Sequence, residues 1–341
     1  MRILVTASHA PFLHGGGERH VDNLCMALRA AGHEVALVRL PFKFSPEADI
    51  ERAMAFCDGY DLSAPNGQHV DRVISLQFPG YGMRHPRHVV WLMHQHRAVY
   101  ELFDPDAATP ALHRLREKIV DYDRRALSKV TRIFANSQRV ARRLLHYNGL
   151  DSTPLYHPPP GAELLCRGEA WDYVFFPSRL ESLKRQDLLI EAARLIVTDT
   201  KILIGGEGPQ RERYERLIEK HALGDRVRLI GAFAEAERIA LYAHALAVVF
   251  PAFDEDLGYV PLEAMYAAKP VVTCTDSGGP LEFRAHGETG EIVAPSPEAL
   301  ADAIDRLATH PDRARAMGEA GRERILAMDL SWPRVVATLC A

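Results

Sequence analysis

The sequence predicts an α/β protein made of two Rossmann-like domains, each a parallel sheet covered by helices. Three observations predict it. Short runs of strand-forming apolar residues alternate with segments of helical apolar spacing through most of the 341 residues, the pattern of parallel sheets buried on both faces. A glycine-rich loop, Gly15 to Gly17, separates the first strand from the first helix. Three consecutive prolines in "PLYHPPPG", Pro154 to Gly161, exclude regular helix and central strand, and the alternation restarts beyond them. A chain of this length fits two cores of ordinary size, and two such domains on a proline connector would leave a cleft between them.

In order, Arg2 to Ser8 reads as a strand, and Val21, Leu24 and Leu28 fall at helical spacing ended by Gly32. Glu34 to Leu40, His88 to Met93 and Arg132 to Ser137 read as further strands, the last leading to a helix that Ser137 can cap. After the prolines, strands are expected over Tyr173–Ser178, Lys201–Gly206, Val227–Gly231, Ala247–Ala252 and Pro270–Cys274. Helices are expected over Asp187–Val197, Gln210–His221 and Glu235–Ala243, with a fourth within Phe253–Val272. From Leu300 the pattern is helical, ending in the amphipathic segment Asp329 to Leu339.

Bulk properties exclude several classes. A net charge of -4 gives no global attraction to nucleic acid or membrane. Five widely spaced cysteines without a CxxC pair argue against a disulfide framework or zinc site and fit a reducing, cytoplasmic setting. No apolar run is long enough to span a bilayer. Between Leu112 and Tyr147, however, ten Lys or Arg face Glu117, Asp121 and Asp123, an excess of seven cations. This stretch is either a solvated helical face or a peripheral dock for the inner, anionic face of a cell membrane.

In open parallel sheets, ligands gather at the carboxyl ends of strands, so the polar residues there matter most. Gly16 and Gly17 let a phosphate approach backbone N–H groups at a helix start, or make a plain turn. The spacing is not GxGxxG, which disfavours a nicotinamide dehydrogenase. His94 and His96 end a strand as polar contacts or as hydrogen-bonded loop, and no third residue at diagnostic spacing makes them a metal pair. Arg179 and Lys184 place two cations after a strand, where they can straddle a diphosphate. Gly205 and Gly206 repeat the strand–glycine pattern. In "FDEDLGYVPLEAMYAAKPVV", Glu255 and Glu263 flank a helix start: Glu263 suits a pair of ribose hydroxyls, and Glu255 suits sugar hydroxyls beside the backbone of Leu257 and Gly258.

Taken in order, "HGGGERHV", "SRLESLK", "GGEGP", "FDEDLGYVPLEAMYAAKPVV", "SGGPLE" and "GETGEIV" resemble the successive motifs of family 4 retaining glycosyltransferases (glycosyl transferases group 1). The resemblance implies the GT-B fold: an acceptor-side domain over 1–160, a nucleotide-sugar donor domain over 161–320, and a helix within 321–341, including Trp332, that crosses back to the first domain. It implies that Glu263 holds the donor ribose, that Glu255 holds the transferred sugar, and that Asp256, Leu257 and Gly258 present backbone to sugar and phosphate. Arg179 and Lys184 would neutralise the diphosphate, Gly206 would line the donor site, Gly16 and Gly17 would approach the diphosphate or acceptor, and His94 would stand at the reacting face of the sugar. The implied reaction moves a hexose-type sugar from a nucleoside diphosphate sugar to an acceptor hydroxyl with retention, without metal or cofactor, in polysaccharide or lipid-linked glycan synthesis. The first glutamate is followed by "DLG", a departure from the commoner family pattern, and Pro41 to Gln77 diverges where acceptor sites form. A nucleotide-sugar 2-epimerase of the same fold and a non-catalytic sugar-nucleotide-binding protein are the alternatives.

Overall fold

The computed structural model describes residues 1–12 and 15–341, so His14 of the first motif lies outside the described residues. The chain divides into two units, Met1–His157 with Ser331–Ala341, and Pro158–Leu330.

The first unit contains β1 (Arg2–His9), α1 (Gly16–Ala30), β2 (Glu34–Pro41), α2 (Glu47–Gly59), β3 (Arg72–Ser75), β4 (His88–Leu92), α3 (Pro110–Leu127), β5 (Arg132–Ala135), α4 (Gln138–Asn148) and β6 (Thr153–Pro154). All its strands are parallel, in the order β2-β1-β3-β4-β5-β6. Successive side chains of a strand point to opposite faces, and the two cores follow from that alternation. Ile3, Val5 and Ala7 of β1 join Val21, Leu24 and Leu28 of α1 and Val335 and Leu339 of the terminal helix. Leu4, from the other face, joins Ile50 and Met54 of α2 and Leu115 and Ile119 of α3. Thr109 and Ser137 cap α3 and α4 by accepting from the amides of Leu112 and Val140 at 3.2 and 3.1 Å. The helix over Trp332–Cys340 is held by an aromatic stack as well, with the Trp332 and His157 ring centroids 5.2 Å apart.

The second unit contains β7 (Tyr173–Pro177), α5 (Gln186–Ala192), β8 (Lys201–Gly205), α6 (Arg211–Lys220), β9 (Val227–Gly231), α7 (Glu235–His244), β10 (Ala247–Phe250), α8 (Tyr259–Tyr266), β11 (Val271–Cys274), β12 (Gly290–Val293), α9 (Pro297–Thr309) and α10 (Pro311–Ala327). Its parallel order is β12-β11-β10-β7-β8-β9. Val174 and Phe176 of β7 face the layer of α5, α9 and α10, whereas Phe175 faces Tyr242 of α7 and Ala264 of α8.

One expectation shifts. The helix expected over Asp187–Val197 stops at Ala192; the chain goes on in tighter turns, with the Leu195 amide donating to the Ala192 carbonyl at 2.9 Å, and Asp305 of α9 then accepts from the amides of Val197 and Thr198, both at 3.0 Å. The second unit runs to Leu330. Its α10 is unbroken through Gly321 and lies so close to the turn after α8 that a Cβ on Gly318 would sit 2.1 Å from the Ala268 carbonyl oxygen.

Candidate active site

In the second sheet the chain leaves β7 toward β8 on one side and β10 toward β11 on the other, which opens a crevice at the carboxyl ends of these two central strands. The loops after β7 and β10 carry most of the predicted residues. Arg179 follows β7, its side chain 43% exposed and 3.1 Å from Glu181. Its carbonyl accepts from Gln186 Nε2 at 2.8 Å, which ties the loop to the start of α5. Gly206, after β8, has φ of +121°, and a Cβ there would lie 2.2 Å from the Ser178 carbonyl oxygen. Only glycine lets these two backbones approach so closely.

Lys184 ends a tight turn over Ser182–Lys184, and Arg185 follows in the left-handed region at φ 58°. The Lys184 ammonium bonds to Glu255 Oε2 and lies 5.5 Å from the Phe250 ring centroid. Arg185 stacks its guanidinium on Phe253 at 4.8 Å and bonds both oxygens of Asp276 at 2.9 and 2.8 Å. The Phe253 amide also donates to the Leu183 carbonyl at 2.7 Å. These bonds bring the loops after β7, β10 and β11 into one assembly, with Lys184 and Glu255 side by side.

The Glu255 loop is woven into the loop after β11. The Glu255 amide donates to Ser277 at 3.0 Å, and Gly279 donates to the Glu255 carbonyl at 2.8 Å. A Cβ on Gly279 would lie 2.2 Å from the Asp256 carbonyl oxygen, so Asp256 and Leu257 rest directly on the "SGGP" backbone. Gly258 then caps α8 at φ 82°, which orients the positive end of this eight-residue helix toward the loop.

Glu263, on α8, is 5% exposed. Oε1 accepts from Arg238 Nη1 at 2.8 Å and Oε2 from the Tyr242 hydroxyl at 2.5 Å, both side chains standing one turn apart on α7. Arg238, itself 4% exposed, also donates from Nε to Glu235 at 3.0 Å and from Nη2 to the Pro160 carbonyl at 3.2 Å. Burial alone would lower the Arg238 pKa, yet its bonds to Glu235 and the charge of Glu263 leave it raised, so the cation persists. Sequence reasoning passed over Arg238, Tyr242, Arg185 and Asp276. For Arg238 a signal existed, because it sits four residues before Tyr242 on the apolar face of α7, where a charge is out of pattern.

In the first unit, the switch in strand order falls between β1 and β3. Gly16 opens α1 there, and a Cβ on Gly17 would lie 3.4 Å from Gln77 Nε2 and 3.9 Å from Met93 Sδ. Gly17 therefore lies beside the residues that follow β3 and β4. His94, half-buried just after β4, has Nδ1 2.7 Å from the Gln95 carbonyl. Against a carbonyl oxygen, Nδ1 is the donor. His96 departs from it: its ring packs among Phe42, Phe44 and Phe78, and burial lowers its pKa to about 4.

The basic stretch is not a single face. Arg143 is buried against Glu101, Arg116 bonds the Val99 carbonyl, and Lys118 and Arg125 pair with Glu51 and Asp58. Arg114, Arg124, Lys129, Arg132 and Arg142 are exposed, with Leu145 at 51% exposure on α4. No helix among the described residues is long and apolar enough to cross a membrane.

Residues 169–324 match the family described as glycosyl transferases group 1. Alpha-1,3/1,6-mannosyltransferase ALG2 of Homo sapiens is 33% identical over 138 residues, 40% of this chain and 32% of that protein. A GDP-mannose-dependent alpha-(1-6)-phosphatidylinositol monomannoside mannosyltransferase of Mycobacterium tuberculosis is 36% identical over 209 residues, 56% of this chain and 53% of that protein. The chain thus spans from about a third to about half the length of these relatives. Among solved structures, sucrose-phosphate synthase from Thermosynechococcus elongatus superposes with a TM-score of 0.81 at 21% identity, covering 99% of this chain and 97% of that one. HepE of Anabaena in complex with UDP-glucose gives 0.74 at 17% identity, covering 100% and 98%. The two six-stranded parallel sheets are those of the GT-B architecture.

Proposed function

We propose that this chain, whose residues 169–324 match the glycosyl transferases group 1, is a retaining, metal-independent enzyme that moves a hexose-type sugar from a nucleoside diphosphate sugar to an acceptor hydroxyl. The observation that carries the reading is the meeting of Lys184 with Glu255, from loops after adjacent strands, beside the N-terminus of α8.

In this reading Arg179 and Lys184 stabilise the charge that grows on the diphosphate as the C1–O bond to phosphate breaks. The acceptor oxygen forms its bond to C1 from the same face, and its proton passes to the departing phosphate oxygen. Glu255 grips sugar hydroxyls, Glu263 holds the ribose, and Gly206, Asp256, Leu257 and Gly258 bring backbone to the phosphates and sugar. In the first unit, Gly16, Gly17 and His94 keep the roles that the family resemblance assigns. The relative that uses GDP-mannose and acts on a phosphatidylinositol mannoside supports a mannosyl donor and a lipid-linked acceptor as the first pair to assay.

The test is nucleotide release from GDP-, UDP- and ADP-sugars with lipid acceptors, followed by NMR of the product's anomeric centre. Transfer with retention that survives EDTA and falls by about a hundredfold or more in Lys184→Ala and Arg179→Ala, with only a modest change in melting temperature, is expected. Full activity in both variants defeats the assignment, and a new nucleotide sugar made without acceptor would mean epimerisation. The exposed cations of 112–147 are assigned to docking on anionic lipid. Vesicle binding that falls with added salt is the expected outcome, and salt-independent binding removes that role.

A further inference from the structure

We infer that Arg238 and Tyr242 are positioning residues that make the site selective for ribonucleotide donors over 2′-deoxyribonucleotide donors. The inference rests on the reading that Glu263 meets the donor ribose, and it goes further by naming what fixes that carboxylate and which donor class follows.

Each oxygen of the Glu263 carboxylate takes a hydrogen bond from a different side chain of α7, at 2.8 Å from Arg238 and 2.5 Å from Tyr242. Two donors on two oxygens fix the carboxylate plane. Arg238 is in turn braced by Glu235 and by the Pro160 carbonyl, and both Arg238 and Glu263 are almost wholly buried. The Arg238 guanidinium also stands as the charge partner of the carboxylate at 2.8 Å. The result is an acceptor group of fixed plane, suited to a vicinal pair of hydroxyls that must both donate. A free carboxylate could tilt to keep one good bond with a single hydroxyl. The clamped one cannot, so a donor lacking the 2′-hydroxyl loses a bond that the site cannot replace. Leaving a buried charged acceptor short of a donor is the kind of mismatch that gives strong discrimination. Donors built on deoxythymidine diphosphate fall in the disfavoured class.

The test is calorimetric titration of the whole chain with UDP, GDP and ADP and with the 2′-deoxy counterpart of whichever binds. Wild type is expected to prefer the ribonucleotide by about tenfold to a hundredfold. Tyr242→Phe and Arg238→Met are expected to reduce that ratio to within about threefold of unity, with ribonucleotide affinity falling toward the deoxynucleotide value. Tyr242→Phe keeps the ring and so reads the effect if Arg238→Met fails to fold. A merely structural role would change melting temperature and leave the ratio intact. If both variants keep the wild-type ratio while Glu263→Gln loses it, the clamp is refuted and the ribose reading survives. If wild type and Glu263→Gln show no preference, or no nucleotide binds, the ribose reading fails and the clamp with it.

Discussion

Replacing Glu255 with glutamine is expected to tighten nucleoside diphosphate binding while slowing sugar transfer. Lys184 and Glu255 neutralise each other, with side chains only 16% and 19% exposed, so a diphosphate that takes Lys184 must first separate the pair. Exposed ion pairs contribute about 0–1 kcal/mol, and breaking a buried one costs about 3–5 kcal/mol. A pair of this intermediate burial therefore sets a barrier of about 1–2 kcal/mol, and its removal strengthens binding by about five- to thirtyfold. Glutamine keeps the size and one carbonyl acceptor but holds the ammonium far less strongly. It also lowers the repulsion between the site and the incoming phosphates. Transfer should nevertheless fall by about a hundredfold, since the sugar loses its charged hydroxyl acceptor. Calorimetry with the cognate nucleotide reads the first effect and steady-state transfer reads the second. Equal or weaker nucleotide binding in Glu255→Gln would refute the reasoning, because Lys184 would then not be the group that the phosphates compete for.

Other expectations follow from buried groups. Arg284 is 6% exposed, none of its three guanidinium nitrogens has a hydrogen-bond partner among the described residues, and burial lowers its pKa to about 9. Arg284→Met should stabilise the protein by about 2–4 kcal/mol at neutral pH, and the gain should shrink above pH 9 as the buried cation discharges; an unchanged urea midpoint at pH 7 would sink this. Asp123, fully buried beneath the Tyr81 and Tyr100 hydroxyls at 2.5 and 2.6 Å, has its pKa raised by burial to about 7. A raised carboxyl pKa stabilises the fold at low pH, and that contribution is lost as pH climbs from the ordinary carboxylate range through about 7. The melting temperature of Asp123→Asn relative to wild type should therefore rise between pH 5 and pH 8, and a pH-independent difference would contradict the assignment. Gly206→Ala should abolish nucleotide binding, since its Cβ would overlap the Ser178 carbonyl and its φ is hostile to any side chain; retained binding would show that the loop relaxes freely.

Strands and helices with strong local patterns were legible in the sequence. β1, β7 and β8 are apolar runs bounded by glycine or polar turns, and α1 has regular apolar spacing ended by Gly32. α2 and β3 were not read, because α2 buries only Ile50, Met54 and Cys57 on a weak stripe and β3 has four residues. Its first residue, Arg72, bonds the carbonyl of Leu339 in the terminal helix, a partner no local pattern reveals. β12 escaped because it is four residues long and starts on Gly290 at φ 150°. In the site, the types and order of Arg179, Lys184, Glu255 and Glu263 are carried by motifs. Their pairings are not, since Arg238 stands 25 residues from Glu263 and meets it only once α7 and α8 lie side by side. The split of the basic stretch between buried and exposed cations has the same cause: burial of Arg143 depends on Glu101, which is distant in sequence.

The central claim is that the second unit binds a nucleoside diphosphate through the cation held beside Glu255. Its most direct test is titration of UDP, GDP and ADP into wild type and Lys184→Met, with melting temperatures matched. One nucleotide binding wild type and weakening by about tenfold or more in the variant is the expected result. Binding of none, or equal binding to both proteins, would contradict it.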